Sequence, residues 1–96
     1  MAKYRSEEID HLFKAMLRFK EIDEFYDFFN DVCTITELKD MAQRFEVAHL
    51  LEGGLNYQKI AEQTGVSTAT ISRVSRCLNY GDGGYRHALE LLKDAE

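Results

Sequence analysis

Residues 57–76, "YQKIAEQTGVSTATISRVSR", constrain this chain more than any other stretch. Two short helices joined by a tight turn pack against each other under three conditions. A small residue must stand where the axes cross. A residue that tolerates positive φ must make the turn. Apolar side chains must point between the helices. Ala61, fifth of the twenty, fills the first slot, and Gly65, the ninth, fills the second. Ile60, Val66, Ile71 and Val74 fill the fourth, tenth, fifteenth and eighteenth. The segment 57–78 therefore reads as a helix-turn-helix, with Ser67 as the N-cap of its second helix. A helical hairpin used only for packing satisfies the same slots and stays open as the alternative.

The rest of the chain extends the helical reading. No proline occurs in the 96 residues, and Val, Ile and Thr form no alternating runs. An all-α chain forming one domain over residues 1–96 is expected. In "SEEIDHLFKAMLRFK", Ile9, Leu12, Phe13, Met16 and Leu17 make one helical stripe, with Ser6 as N-cap and Glu7 and Glu8 at the positive end of the dipole. "IDEFYDFFNDV" repeats the pattern with Ile22, Phe25, Tyr26 and Phe29, while Phe28 gives it a second apolar face. Seven of the eleven aromatics lie in the first 29 residues. Residues 1–33 are accordingly expected to be dimerisation helices, buried in a core or between chains, rather than a cofactor box.

In "TITELKDMAQRFEVAHLLEGG", Thr34 and Glu37 have capping-box spacing. Leu38, Met41, Ala42, Phe45 and Ala48, with His49 or Leu51, form the stripe, and Gly53 and Gly54 supply the stop. After the turn in "GDGGYRHALELL", a helix is expected over 85–93, with Tyr85, Ala88, Leu89 and Leu92 on one face. The turn glycines match neither phosphate-loop spacing, so a hinge is the expected role.

Charge narrows the function. The net charge is −5, yet residues 55–80 carry Lys59, Arg73 and Arg76 against Glu62, a net of +2, while every other stretch is acidic. Phosphate contacts dominate the affinity of DNA binders, so a duplex is expected on this segment. Thr68, Ala69, Thr70, Ser72, Arg73 and Arg76 are expected to be exposed on the second helix. Its small first turn fits a major groove about 12 Å wide, its hydroxyls suit base edges, and its arginines suit guanine or phosphate. Ser67 and the free amides at the helix start favour a phosphate, and Gln58 and Lys59 are placed for the backbone. The candidate DNA-binding set is Gln58, Lys59, Ser67, Thr68, Ala69, Thr70, Ser72, Arg73 and Arg76. The alternative is a protein-interaction module that uses the same helical surface, which the acidic whole favours.

An enzyme is not expected. His11, His49 and His87 fall on separate helices, with no nucleophile motif, metal spacing or cofactor loop. Cys33 and Cys77 read as reduced, mostly buried thiols. No apolar run approaches the roughly 18 residues of a membrane span, and "MAKYRSEEID" is not a signal peptide, so a cytoplasmic protein without a membrane partner is expected.

"GVSTATISRVSRCL", with "YQKIAEQT", "TITELKDMAQR" and "LNYGDGGY", resembles the Trp repressor superfamily, its YerC/YecD-type branch in particular. The resemblance covers about residues 34–85; the first 33 match only as two amphipathic helices. It implies a helical bundle forming an intertwined homodimer, whose second helix-turn-helix element enters the major groove of a palindromic operator, most often as a repressor. Thr68, Ala69, Thr70, Ser72 and Arg73 match the operator-facing run. The family's tryptophan corepressor lies between two arginines. Arg73 matches one, and the other falls on Arg44 counting from Thr34 or on Gln43 counting back from Gly65. Cys77 stands in place of a ligand-binding serine, so the candidate effector set is Arg44, Arg73 and Cys77. Val74 replaces a glycine against the indole and adds bulk, so tryptophan is disfavoured, no cofactor is expected, and the effector is left unnamed.

Overall fold

The computed structural model describes residues 3–95 as six helices: α1 (Glu7–Met16), α2 (Ile22–Val32), α3 (Ile35–Glu52), α4 (Tyr57–Thr64), α5 (Thr68–Tyr80) and α6 (Gly84–Ala95). No strand occurs among the described residues, and none of these helices is long and apolar enough to cross a membrane. The chain divides into two compact units, one ending at Leu38 and the other beginning at Lys39.

In the first unit, caps define the helix starts. Ser6 Oγ accepts the Ile9 amide at 3.1 Å. The Glu24 carboxylate accepts the amides of Lys20 and Glu21, both at 3.0 Å, and these bonds hold its carboxyl below the ordinary value. At the head of α3 the Glu37 amide donates to Thr34 Oγ1 at 3.1 Å, and the Thr34 amide donates to Glu37 Oε1 at 2.9 Å. This is the capping box, and the Thr34 amide, then its hydroxyl, lower the Glu37 carboxyl. Phe19 meets Phe25 and Phe28 edge-on, with centroids 4.8 and 5.6 Å apart, and Phe28 meets Phe29 at 5.5 Å. Phe28, off the anticipated stripe, thus finds partners within its own chain. No residue of α1 or α2 is buried; Phe13, Ile22 and Tyr26 are more than half exposed.

The second unit is built around one core. Val47 and Ala48 come from α3, Ile60 from α4, Val66 from the turn, Ile71, Val74 and Leu78 from α5, and Leu89 from α6. All four apolar slots of the helix-turn-helix are therefore buried. The α3 stripe needs correction. Val47, outside that stripe, is fully buried, whereas Met41 and His49 are exposed, with His49 Nδ1 3.9 Å from Glu46. Phe45, Ala48 and Leu51 of the stripe do face this core, and Val47 and Leu50 widen the core-facing side beyond it, so that Leu51 rather than His49 continues the stripe. Gly54, at φ 93, closes α3: its amide donates to the Leu51 carbonyl at 3.1 Å, and the Leu55 amide donates to the Leu50 carbonyl at 3.2 Å. Helices α5 and α6 run slightly beyond the anticipated ends at 78 and 93.

Candidate nucleic-acid interface

The turn between α4 and α5 is stitched by short bonds. Gly65 takes φ 74, ψ 4, and its amide donates to the Ala61 carbonyl at 2.9 Å. The Thr64 hydroxyl donates to the Ile60 carbonyl at 2.7 Å and accepts the Val66 amide at 3.2 Å. Asn56 Oδ1 caps α4 by accepting the Lys59 amide at 2.9 Å, and Ser67 Oγ caps α5 by accepting the Thr70 amide at 3.2 Å. The two caps fix where α4 and α5 begin, so Gln58, Lys59 and Thr68 all stand in first helical turns and are exposed.

Helix α5 turns Ile71, Val74 and Leu78 inward. At about 100° per residue the opposite line runs through Ala69, Arg73, Arg76 and Tyr80, all exposed, with Thr68 and Ser72 on one flank. Ser67 is exposed at the cap, while Ser72 is half-buried. Ser72 and Thr70 both depart from the expected exposed run. Thr70 is half-buried and its Oγ1 accepts the Ser67 hydroxyl at 3.1 Å, because it sits on the flank facing α3. Seven of the nine anticipated residues are thus exposed on the first turn of α4 and on the cap and outer side of α5, while Ser72 is half-buried on one flank and Thr70 on the other, where it lines a cavity with Ser67 and Arg73. Sequence reasoning missed Tyr80, 86% exposed at the end of that line. It also missed Thr64, whose stitching role depends on the turn geometry itself. The Asn56 cap was readable from its place just before an apolar-periodic segment.

Two cavities flank α5. One, of about 310 Å³, is lined by Asp40, Gln43, Arg44, Val66, Ser67, Thr70 and Arg73. The other, of about 270 Å³, is lined by Arg44, Arg73, Val74, Cys77 and Tyr85. The second brings together the three anticipated effector residues, Arg44, Arg73 and Cys77; Gln43 lines the first cavity alone. The anticipated burial of Cys77 is corrected: the thiol is exposed, because it lies on the cavity flank of α5, off the line of Ile71, Val74 and Leu78. Cys33 is half-buried. No cluster of three or more His, Cys, Asp or Glu among the described residues could hold a metal ion.

A sequence profile of the Trp repressor protein family matches residues 7–93. The chain belongs to the Trp repressor family. The match extends the anticipated resemblance through α1, α2 and α6. The uncharacterized protein YerC of Bacillus subtilis is 52% identical over 94 residues, covering 98% of this chain and 90% of that protein. A Trp operon repressor homolog of Chlamydia trachomatis is 38% identical over 65 residues, 67% of this chain and 69% of its own length. The crystal structure of a TrpR like protein from Eubacterium eligens superposes with a TM-score of 0.88 at 53% identity, covering 93% of this chain and 92% of that one. Trp repressor family proteins are DNA-binding regulators rather than enzymes. Membership therefore gives the outer side of α5 its chemical context: a helix-turn-helix surface in a DNA-binding family.

Proposed function

We propose that this Trp repressor family protein is a sequence-specific transcriptional regulator, most simply a repressor, that reads a palindromic operator through α5. The observation that carries the reading is the outer line of α5. Small or cationic residues occupy it as far as Tyr80 at its end, opposite a fully apolar inner line, in the one net-positive segment of an acidic chain. Thr68, Ala69, Ser72, Arg73 and Arg76 contact base edges and flanking phosphates, Thr70 contributes from the cavity flank, and Ser67, Gln58 and Lys59 hold the backbone. The working unit is a homodimer with half-sites about one helical turn apart. The exposed apolar residues of α1 and α2 support this, since a surface that apolar is normally covered by a partner. Tryptophan is disfavoured as the effector, because Val74 adds bulk to the second cavity beside Arg44 and Arg73, and Cys77 stands there in place of a serine.

Selection of bound duplexes from a random pool tests the reading. Enrichment of a two-fold symmetric site at moderate salt is expected, and Arg73→Ala should weaken binding to it by about 1–3 kcal/mol if Arg73 reads a base. A pool that enriches no symmetric site overturns specific reading. The alternative, a protein-interaction module, is favoured by the net charge of −5, which a dimer doubles and which repels DNA away from α5.

A further inference from the structure

Arg86, in the first turn of α6, takes no part in the surface described above, yet it grips the far end of the helix that forms it. Its Nε donates to the Leu78 carbonyl at 3.0 Å, and its Nη2 donates to Asn79 Oδ1 at 3.0 Å. Its Nη1 lies 3.5 Å from Glu52 Oε2, at the last residue of α3. One planar guanidinium thus joins the ends of α3 and α5 to the start of α6. Asn79 passes the hold back along α5: its Nδ2 donates to the Ser75 carbonyl at 2.9 Å and lies 3.3 Å from Ser75 Oγ. Ser75 sits between Arg73 and Arg76.

The end of α5 needs such a partner. The last four carbonyls of a helix lack amides within it, and Leu78 supplies one of them. The chain leaves α5 through Gly81 in an extended conformation, without a left-handed cap, and the Gly81 amide donates to the Cys77 carbonyl at 2.8 Å. A Cβ at Gly81 would collide with the Cys77 carbonyl oxygen, so this exit is tight. The turn with its Ser67 cap fixes the start of α5, and Arg86 fixes its end.

We infer that Arg86 is a positioning residue for DNA reading: it sets the pitch at which α5 presents Arg73 and Arg76. The inference rests on the reading of α5 as the recognition helix. Arg76 lies about 12 Å along α5 from its start, at 1.5 Å per residue, so a tilt of about 10° at the turn moves it by roughly 2 Å. Contacts to base edges tolerate about 0.5 Å, whereas phosphate contacts made by long cationic side chains tolerate far more. Loss of Arg86 therefore affects discrimination between sequences more than affinity for DNA in general.

The test compares Arg86→Lys, which keeps the charge but lacks the fork, and Arg86→Met with the native chain. The ratio of affinity for the selected duplex to that for random duplex should fall about tenfold in both variants, the scale of one lost charge-assisted hydrogen bond. For Arg86→Lys, random-duplex affinity and its salt slope should stay native. Amide hydrogen exchange of the free protein should quicken over the last turn of α5 in both variants. A native ratio in both variants, or unchanged exchange in α5, overturns the positioning role alone. A native chain that selects no duplex overturns the recognition reading first, and the positioning role falls with it.

Discussion

Gly65→Ala tests the joint of the helix-turn-helix. The residue sits at φ 74, ψ 4, and a Cβ placed on it meets nothing within 4 Å. Steric clash with neighbours therefore contributes nothing, and the whole penalty is local. A non-glycine L-residue in the left-handed region costs about 1–2 kcal/mol. Alanine also restricts the unfolded chain, which opposes that loss by about 0.4–1 kcal/mol. Gly65→Ala should thus destabilise the protein by about 1 kcal/mol. Asparagine enters the left-handed region more readily, so Gly65→Asn should lose less. Urea unfolding followed by far-UV circular dichroism, at one protomer concentration, measures both variants. The thermal midpoint of Gly65→Ala should drop by about 4–8 °C, the shift per kcal/mol for a chain of this size. An alanine variant as stable as the native chain, or an asparagine variant less stable than alanine, would refute the left-handed turn and the packing built on it.

Ile71→Ala removes a side chain with no exposed surface from the α4–α5 contact and should cost about 2–5 kcal/mol, read from the same unfolding curves; a loss under 1 kcal/mol would mean that the core closes elsewhere. The Glu37 carboxyl is lowered in the folded chain, so its contribution is present above the unfolded carboxylate pKa and is lost as pH falls through the lower folded value. The stability gap between native and Glu37→Gln proteins should therefore be widest near neutral pH and narrow in acid, and a gap independent of pH would remove the carboxylate from the cap. Isothermal calorimetry with L-tryptophan should give no micromolar binding, and a micromolar isotherm would show that Val74 and Cys77 leave room for the indole.

The helix-turn-helix was legible because each slot demands a particular residue type at a fixed offset, and Ala61, Gly65, Ile60, Val66, Ile71 and Val74 meet all of them. Caps were legible for the same local reason: Ser6, Thr34 with Glu37, and Ser67 each act within three residues. What escaped depends on contacts distant in sequence. The α3 stripe includes Phe45, Ala48 and Leu51, which do reach the core, but only the packing of α4 to α6 adds Val47 and leaves Met41 and His49 outside. Thr70 looks like its exposed neighbours until α3 is brought beside it. Arg86 reaches Leu78 and Asn79 across the Gly81 exit and Glu52 from a third helix, and no local pattern marks it.

The central claim is that the outer line of α5 engages DNA in this acidic chain, and salt tests it most directly. Lys59, Arg73 and Arg76 from each protomer of a dimer correspond to a slope of log affinity against log salt of about −5. The account predicts tight binding to the selected duplex at low salt and a loss close to that slope as salt rises. Binding that is absent even at low salt, or that does not change with salt, would contradict it and leave the helix-turn-helix to a protein partner.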